Sequence, residues 1–211
     1  MLHKIRTTIE YNQPAVGFID SRGSVVVPPT YDDVQAFREG RAGVHFHGGG
    51  KGIIDEAGKV IAGPEYRQVG DYSEGRCAVL TKSPELWGFV DDAGRLVISA
   101  NLRQQFPLFD YPYFSEGLCA VPSADGYMWG YIDCNGKLVI PYQFKFAWSF
   151  SDGLAPVEDA TGRAGYIEKS GAFAFDARWA KTFPFRNGLA AVANNNLWGI
   201  INKQGESVLE P

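Results

Sequence analysis

The chain has 211 residues, 45% hydrophobic and 21% charged, which suits a folded core and argues against intrinsic disorder. Its net charge of -4 and pI near 5.4 provide no basic footprint for nucleic acid or an anionic membrane. No apolar run reaches the roughly 18 residues of a membrane span, no apolar leader opens the chain, and the odd count of three cysteines suggests no disulfide framework, so a reduced cytoplasmic protein is expected.

The first strand is expected over residues 5–11. Next comes the hairpin-like segment VGFIDSRG (16–23), and close variants of it recur as KGIIDEAG (51–58), WGFVDDAG (87–94), WGYIDCNG (129–136), AGYIEKSG (164–171) and WGIINKQG (198–205). The clearest copy, WGYIDCNGKLVIP (129–141), carries Asn-Gly between two apolar runs, a strong local hairpin signal because both residues tolerate positive φ. The first glycines fall at positions 17, 52, 88, 130, 165 and 199, a period near 35 with one longer interval between 88 and 130.

A second motif keeps the same rhythm. An aromatic residue, two polar residues and glycine precede a small-apolar run in FREGRAGV, YSEGRCAV, FSEGLCAV, FSDGLAPV and FRNGLAAV, with glycines at 40, 75, 117, 153 and 188. Each unit therefore reads as three strands: a (the small-apolar run), b (the WGYID run) and c (the LVIP run). Strand b is apolar on both faces, with Ile54, Val90 and Ile132 on one and Ile53, Phe89 and Tyr131 on the other, as expected of units packed between neighbours. After strand c, proline ends the ladder in several units, and two large side chains follow at fixed spacing. The first set is Tyr31, Tyr66, Leu102, Phe144 and Trp179; the second is Phe37, Tyr72, Phe114, Phe150 and Phe185. These are expected to be knobs between units, each contributing roughly 2–3 kcal/mol on burial.

The expected fold is all-β: six tandem three-stranded antiparallel repeats of about 35 residues in one domain, with units near 1–35, 36–70, 71–113, 114–148, 149–183 and 184–211. A curved solenoid or a propeller-like array both fit, and three strands per unit favours the open form.

The dipeptides Trp87-Gly88, Trp129-Gly130 and Trp198-Gly199, with their GYID and FSEGL companions, resemble the WG-repeat (WG β-repeat, KWG) family along essentially the whole chain. Val16, Lys51 and Ala164 replace the tryptophan in three units, where looser packing is expected. The resemblance implies a bacterial interaction protein with no catalytic residues to carry over. Some members are thought to accompany toxins as immunity proteins.

Chemistry candidates are few. His45 and His47 alternate along one strand and could share a metal ion with an acid supplied elsewhere, and Gly48-Gly49-Gly50-Lys51 could cradle an anion, yet the segment is simply a hairpin tip in every unit. The row Asp20, Asp55, Asp91, Asp133, Glu168 and Asn202 suits turn capping better than acid catalysis. Cys77 and Cys119 occupy small-apolar slots, and Cys134 sits in a turn. No catalytic residue, metal or cofactor is expected.

The insertion at 101–114 is aromatic-rich and is either a binding loop or a connector that buries its own rings. Partner-binding candidates are Arg103, Phe106, Phe109, Asp110, Tyr111 and Tyr113 from it, with Tyr142 and Trp148 nearby. The expected function is a non-catalytic scaffold that binds another protein, possible partners including a toxin domain. The alternative is a carbohydrate-binding module, and a monomer or weak dimer is expected.

Overall fold

The computed structural model describes residues 2–9, 13–103, 111–195 and 197–210, and every regular element among them is a β-strand. Two compact units form, Met1–Tyr113 and Phe114–Pro211. The division falls between the third and fourth expected repeats.

The first unit holds a six-stranded sheet of β1 (His3–Ile9), β2 (Gln13–Ile19), β3 (Val25–Val34), β4 (Arg41–Phe46), β5 (Lys51–Asp55) and β6 (Val60–Tyr66). Beside these in sequence, β7 (Gln68–Ser73), β8 (Arg76–Leu80), β9 (Leu86–Val90) and β10 (Leu96–Arg103) form a four-stranded sheet. The second unit begins with a three-stranded sheet of β11 (Leu118–Pro122), β12 (Trp129–Asp133) and β13 (Leu138–Phe144). Two four-stranded sheets follow: β14 (Phe146–Ala147), β15 (Ala155–Glu158), β16 (Ala164–Ile167) and β17 (Phe173–Trp179), then β18 (Lys181–Thr182), β19 (Leu189–Asn194), β20 (Leu197–Asn202) and β21 (Ser207–Leu209). Every named pair is an antiparallel pairing of sequence neighbours, so the chain is a run of meanders.

Strands a, b and c form where expected, but most sheets carry a fourth strand that the sequence reading placed in a connector. The stretch after strand c turns and runs along the outer edge of the next strand a. In the first unit β3 does both, pairing with β2 and then with β4 through Tyr31↔Phe46 and Val34↔Val44. Elsewhere the fourth strand is β7, β14 or β18. The cause is backbone accounting: strand a has a buried face and two edges, and amides on the edge away from strand b need acceptors and donors. Gln35 N donates to Gly43 O at 2.8 Å, Trp148 N to Pro156 O at 3.0 Å, and Phe183 N to Ala191 O at 3.0 Å, the same step in three repeats.

The aromatic-Gly motif turns this fourth strand into strand a. Glu39, Glu74, Glu116, Asp152 and Asn187 have φ between 49° and 56°, and the glycine after each is also left-handed, giving a two-residue turn of the type that matches strand twist. These turns are tied to one another. The Glu39 carboxylate accepts from Glu74 N and Gly75 N, Glu116 from Gly153 N, and Asp152 from Gly188 N, so each acid holds the turn of the following repeat.

The glycine of the WG dipeptide has a separate reason. Opposite it, strand c skips register, for example from Val16↔Tyr31 to Phe18↔Val27. The bulged backbone folds onto the glycine so closely that an added Cβ would stand 2.3 Å from Val27 O at Gly17 and 2.5 Å from Ile140 O at Gly130.

The residue before that glycine faces the first knob across the strands: Val16 faces Tyr31, Trp87 faces Leu102, Trp129 faces Phe144, and Ala164 faces Trp179. At Val16 and Ala164 a small side chain faces a large ring, and both are buried; Lys51, which faces Tyr66, is half-buried.

Both faces of strand b are buried in the inner repeats, as at Ile53, Ile54, Phe89, Val90, Tyr131, Ile132, Tyr166 and Ile167, while Ile19 and Ile200 are half-buried; the knobs are buried except Phe37, which is half-buried. The second knob packs on the strand-b aromatic of the repeat before it, in the pairs Phe18–Phe37, Tyr131–Phe150 and Tyr166–Phe185, with ring centroids 4.7–5.1 Å apart. The Tyr131 and Tyr166 hydroxyls donate to Trp148 O and Phe183 O, so the ring end is satisfied inside the interface.

Candidate functional site

The turn carboxylates act as caps. Asp20 accepts from the amides of Arg22 and Ser24, and Asp55, Asp91 and Asp133 repeat the two bonds in the same positions. Asn202 does the same with Gln204 and Glu206, which an acid–base role would not permit. Backbone amides hold Asp20 and Asp133 below the usual carboxylate range, and the Arg95 side chain does so first for Asp91.

Cys77 is wholly buried with its thiol donating to Gly70 O at 3.2 Å, and burial pushes its pKa far up. Cys119 is buried and Cys134 half-buried, so the small-hydrophobe reading of Cys77 and Cys119 fits their surroundings.

Asp32 comes between the two histidines: His47 Nδ1 contacts one carboxylate oxygen and His45 Nδ1 lies 3.8 Å from the other. The three side chains are about one-third to two-fifths exposed. Among the described residues no group of three such side chains has metal-holding geometry. Beside them a cavity of about 110 Å³ is lined by Asp33, Gln35, Gly43, His45, Lys51 and Val69.

The insertion is placed only in part. Arg103 is exposed at the end of β10, and Tyr113 is half-buried. Tyr111 packs its ring on Gly70, where an added Cβ would stand 2.6 Å from it, and burial near Asp71 raises its hydroxyl pKa to about 12. This ring therefore serves the connector. Phe106, Phe109 and Asp110 lie outside the described residues. Tyr142 and Trp148 belong to the second compact unit, Tyr142 standing exposed on β13.

Trp148 belongs to a row that the sequence did not reveal. Ring centroids step from Trp129 to Phe146 (5.4 Å), Trp148 (5.9 Å), Phe183 (6.2 Å) and Trp198 (5.5 Å). Exposure grows along it: Trp129 is buried, Phe146 and Trp148 are half-buried, Phe183 is 38% exposed and Trp198 53%. Four aromatic side chains with accessible surface thus follow one another in ring contact, and aromatics of this kind anchor protein interfaces.

A repeat chain of antiparallel meanders joined by these motifs defines the class, and the family follows. The model of the WG containing repeat matches residues 17–47, 52–82, 129–159, 165–198 and 198–211, so the chain belongs to the WG-repeat family. Residues 83–128 fall outside those matches, yet β9 and β10 within them continue from β8 in the same a–b–c meander. No curated protein matches the chain.

Among solved structures, 96% of the chain is similar to a computationally designed protein, Ika8, at 12% identity and a TM-score of 0.53, spanning 69% of that protein. KlHsv2 with loop 6CD replaced by a Gly-Ser linker matches 84% of the chain at 14% identity and TM-score 0.51, over 64% of its own length. Hsv2 of Kluyvelomyces marxianus matches 81% at 11% identity and TM-score 0.51, over 57% of its length. At these identities the likeness concerns the fold alone.

Proposed function

We propose that this chain is a non-catalytic repeat scaffold that binds another protein through the aromatic row Phe146–Trp148–Phe183–Trp198. The single observation behind the reading is that row, whose last member Trp198 is 53% exposed while the equivalent Trp87 and Trp129 are 0% and 6% exposed. Family membership agrees, because WG repeats make a binding scaffold. The reading extends to a cytoplasmic, immunity-type inhibitor whose partner is a toxin domain, with the repeats joined in one curved array.

A glycan ligand is the rival reading. Sugar stacking favours a flat platform, and neighbouring rings here are tilted by 45° to 80°. An apolar protein segment fits such a ridged surface better.

The test is native co-purification of the tagged chain from its own cells, run beside a Trp148→Ala, Phe183→Ser variant. A stoichiometric protein lost from the variant supports the scaffold, and a toxin among the recovered proteins supports the inhibitor. Polysaccharide retained by the wild type and lost by the variant overturns the scaffold in favour of the glycan reading.

A further inference from the structure

The cavity beside His45 is lined by side chains that other repeats do not place there. Gln35 stands where the last repeat has Phe183, each backbone amide donating to strand a at the same step. Lys51 precedes the first glycine of its hairpin motif, where the last repeat has Trp198. Those two rings touch, with centroids 5.5 Å apart, whereas Gln35 and Lys51 line a hollow of about 110 Å³. Gly43 and His45 share its wall, at the positions of Ala191 and Ala193. The third repeat has Gly70, Ala78, Leu80 and Trp87 at these four places, so the polar set is particular to the second repeat.

Gln35 is held in one orientation. Its Nε2 donates to Val69 O at 3.0 Å, which fixes the other end of the amide as the oxygen. That oxygen, Oε1, is buried and accepts no hydrogen bond. Gly43 lies against it: an added Cβ would stand 2.0 Å from Oε1, so the glycine makes room for the amide. A buried acceptor left without a donor costs stability, and a molecule in the cavity can supply the donor. The volume exceeds what one water needs and admits a small organic molecule.

Charge at the wall favours an anion. Lys51 is half-buried and makes no ion pair within 4 Å among the described residues. The Lys82 ammonium stands beside Gly50, the residue before it. The two nearest aspartates are already engaged, Asp33 accepting from Lys4 at 2.6 Å and Asp32 contacting His47. In so small a volume the donor for Gln35 and the anion for Lys51 belong to neighbouring atoms of one ligand.

We propose that this cavity binds a small carboxylate with a hydroxyl or ammonium group on the adjacent carbon, the pattern shared by α-hydroxy acids and α-amino acids. The hydroxyl or ammonium donates to Gln35 Oε1, the carboxylate accepts from Lys51 Nζ, and Val69 offers an apolar wall to the substituent. The site is independent of the aromatic row, which lies in the second compact unit.

Isothermal titration of the 211-residue chain with lactate, L-alanine and propionate tests the proposal. Propionate has the carboxylate and the apolar body but no donor. Lactate, L-alanine or both are expected to bind about tenfold more tightly than propionate, and which of the two binds identifies the source of the donor. Lys51→Met is expected to weaken binding about tenfold, and Gln35→Met to abolish the preference over propionate. Circular dichroism and thermal unfolding of each variant check that the fold is retained. In heteronuclear NMR spectra of the wild type, the Gln35 side-chain amide and the Val69 backbone amide are expected to shift on titration. No saturable binding of either ligand up to about 20 mM means a cavity that holds only water and overturns the proposal. Equal binding of propionate, or binding untouched by both variants, overturns it as well.

Discussion

At the residue scale, the glycines divide by what they face. Gly171 and Gly117 both have φ of 85°, but a side chain at Gly171 would meet Ile140 while Gly117 opens on empty space. Gly117→Ala should cost about 1 kcal/mol for its backbone conformation alone. Gly130→Ala, at a close backbone approach, should cost about 2–4 kcal/mol through a displaced strand c; thermal unfolding of the two variants measures the difference. The capping aspartates give a pH dependence of known sign. Backbone amides hold the folded-state pKa of Asp20 and Asp133 below the usual carboxylate range, and the Thr161 hydroxyl first, then backbone amides, do so for Asp159, so the unfolded chain binds more protons as acid is added. Their stabilisation is complete above the unfolded pKa and is lost as pH falls through the folded value. Asp133→Asn should remove part of that acid-side slope while leaving the neutral-pH midpoint nearly unchanged, since Asn202 already performs the same capping. A series of unfolding curves from pH 7 to pH 2.5 reads it directly.

At the element scale, the turn-to-turn acids stabilise the stacking of repeats. Asp152 reaches Gly188 N at 2.7 Å across a sequence separation of 36 residues. Asp152→Ala should lower stability by about 1 kcal/mol, a charged hydrogen bond discounted for partial exposure, and Asp152→Asn should restore part of it, as urea denaturation would show. Strands a, b and c were legible in the sequence because their alternation and turn residues repeat six times. The fourth strand was not, since β14 and β18 are two residues long and carry no periodic signal. The turn between the fourth strand and strand a was equally hidden, because Glu and Asp seldom adopt positive φ and only the glycine stood out. The role of Asp20 and its equivalents was legible, because capping is a local interaction and needs no knowledge of the surrounding fold.

At the scale of the whole molecule, the same repeated residue differs in exposure from one repeat to another. The tryptophan of the WG dipeptide is 0% exposed at Trp87, 6% at Trp129 and 53% at Trp198, although the local sequence is nearly the same. No reading of the motif alone separates these three, which is why the aromatic row escaped the sequence and the insertion attracted attention instead. Acrylamide quenching checks the assignment. Trp198→Phe should remove the largest share of the quenchable tryptophan emission, and Trp87→Phe almost none of it.

The register skip opposite each WG glycine also bears on how such a chain survives in a crowded solution. In five sheets strand c is an outermost strand, with one edge not paired to another strand of its sheet. A straight strand in that position would be a template on which foreign β-segments could add, one sheet after another, towards fibre growth. The register skip within each strand c breaks its hydrogen-bonding line and shortens the flat stretch an intruder could copy. The conserved geometry that lets two backbones approach within each repeat is, on its outer side, a safeguard against runaway polymerisation.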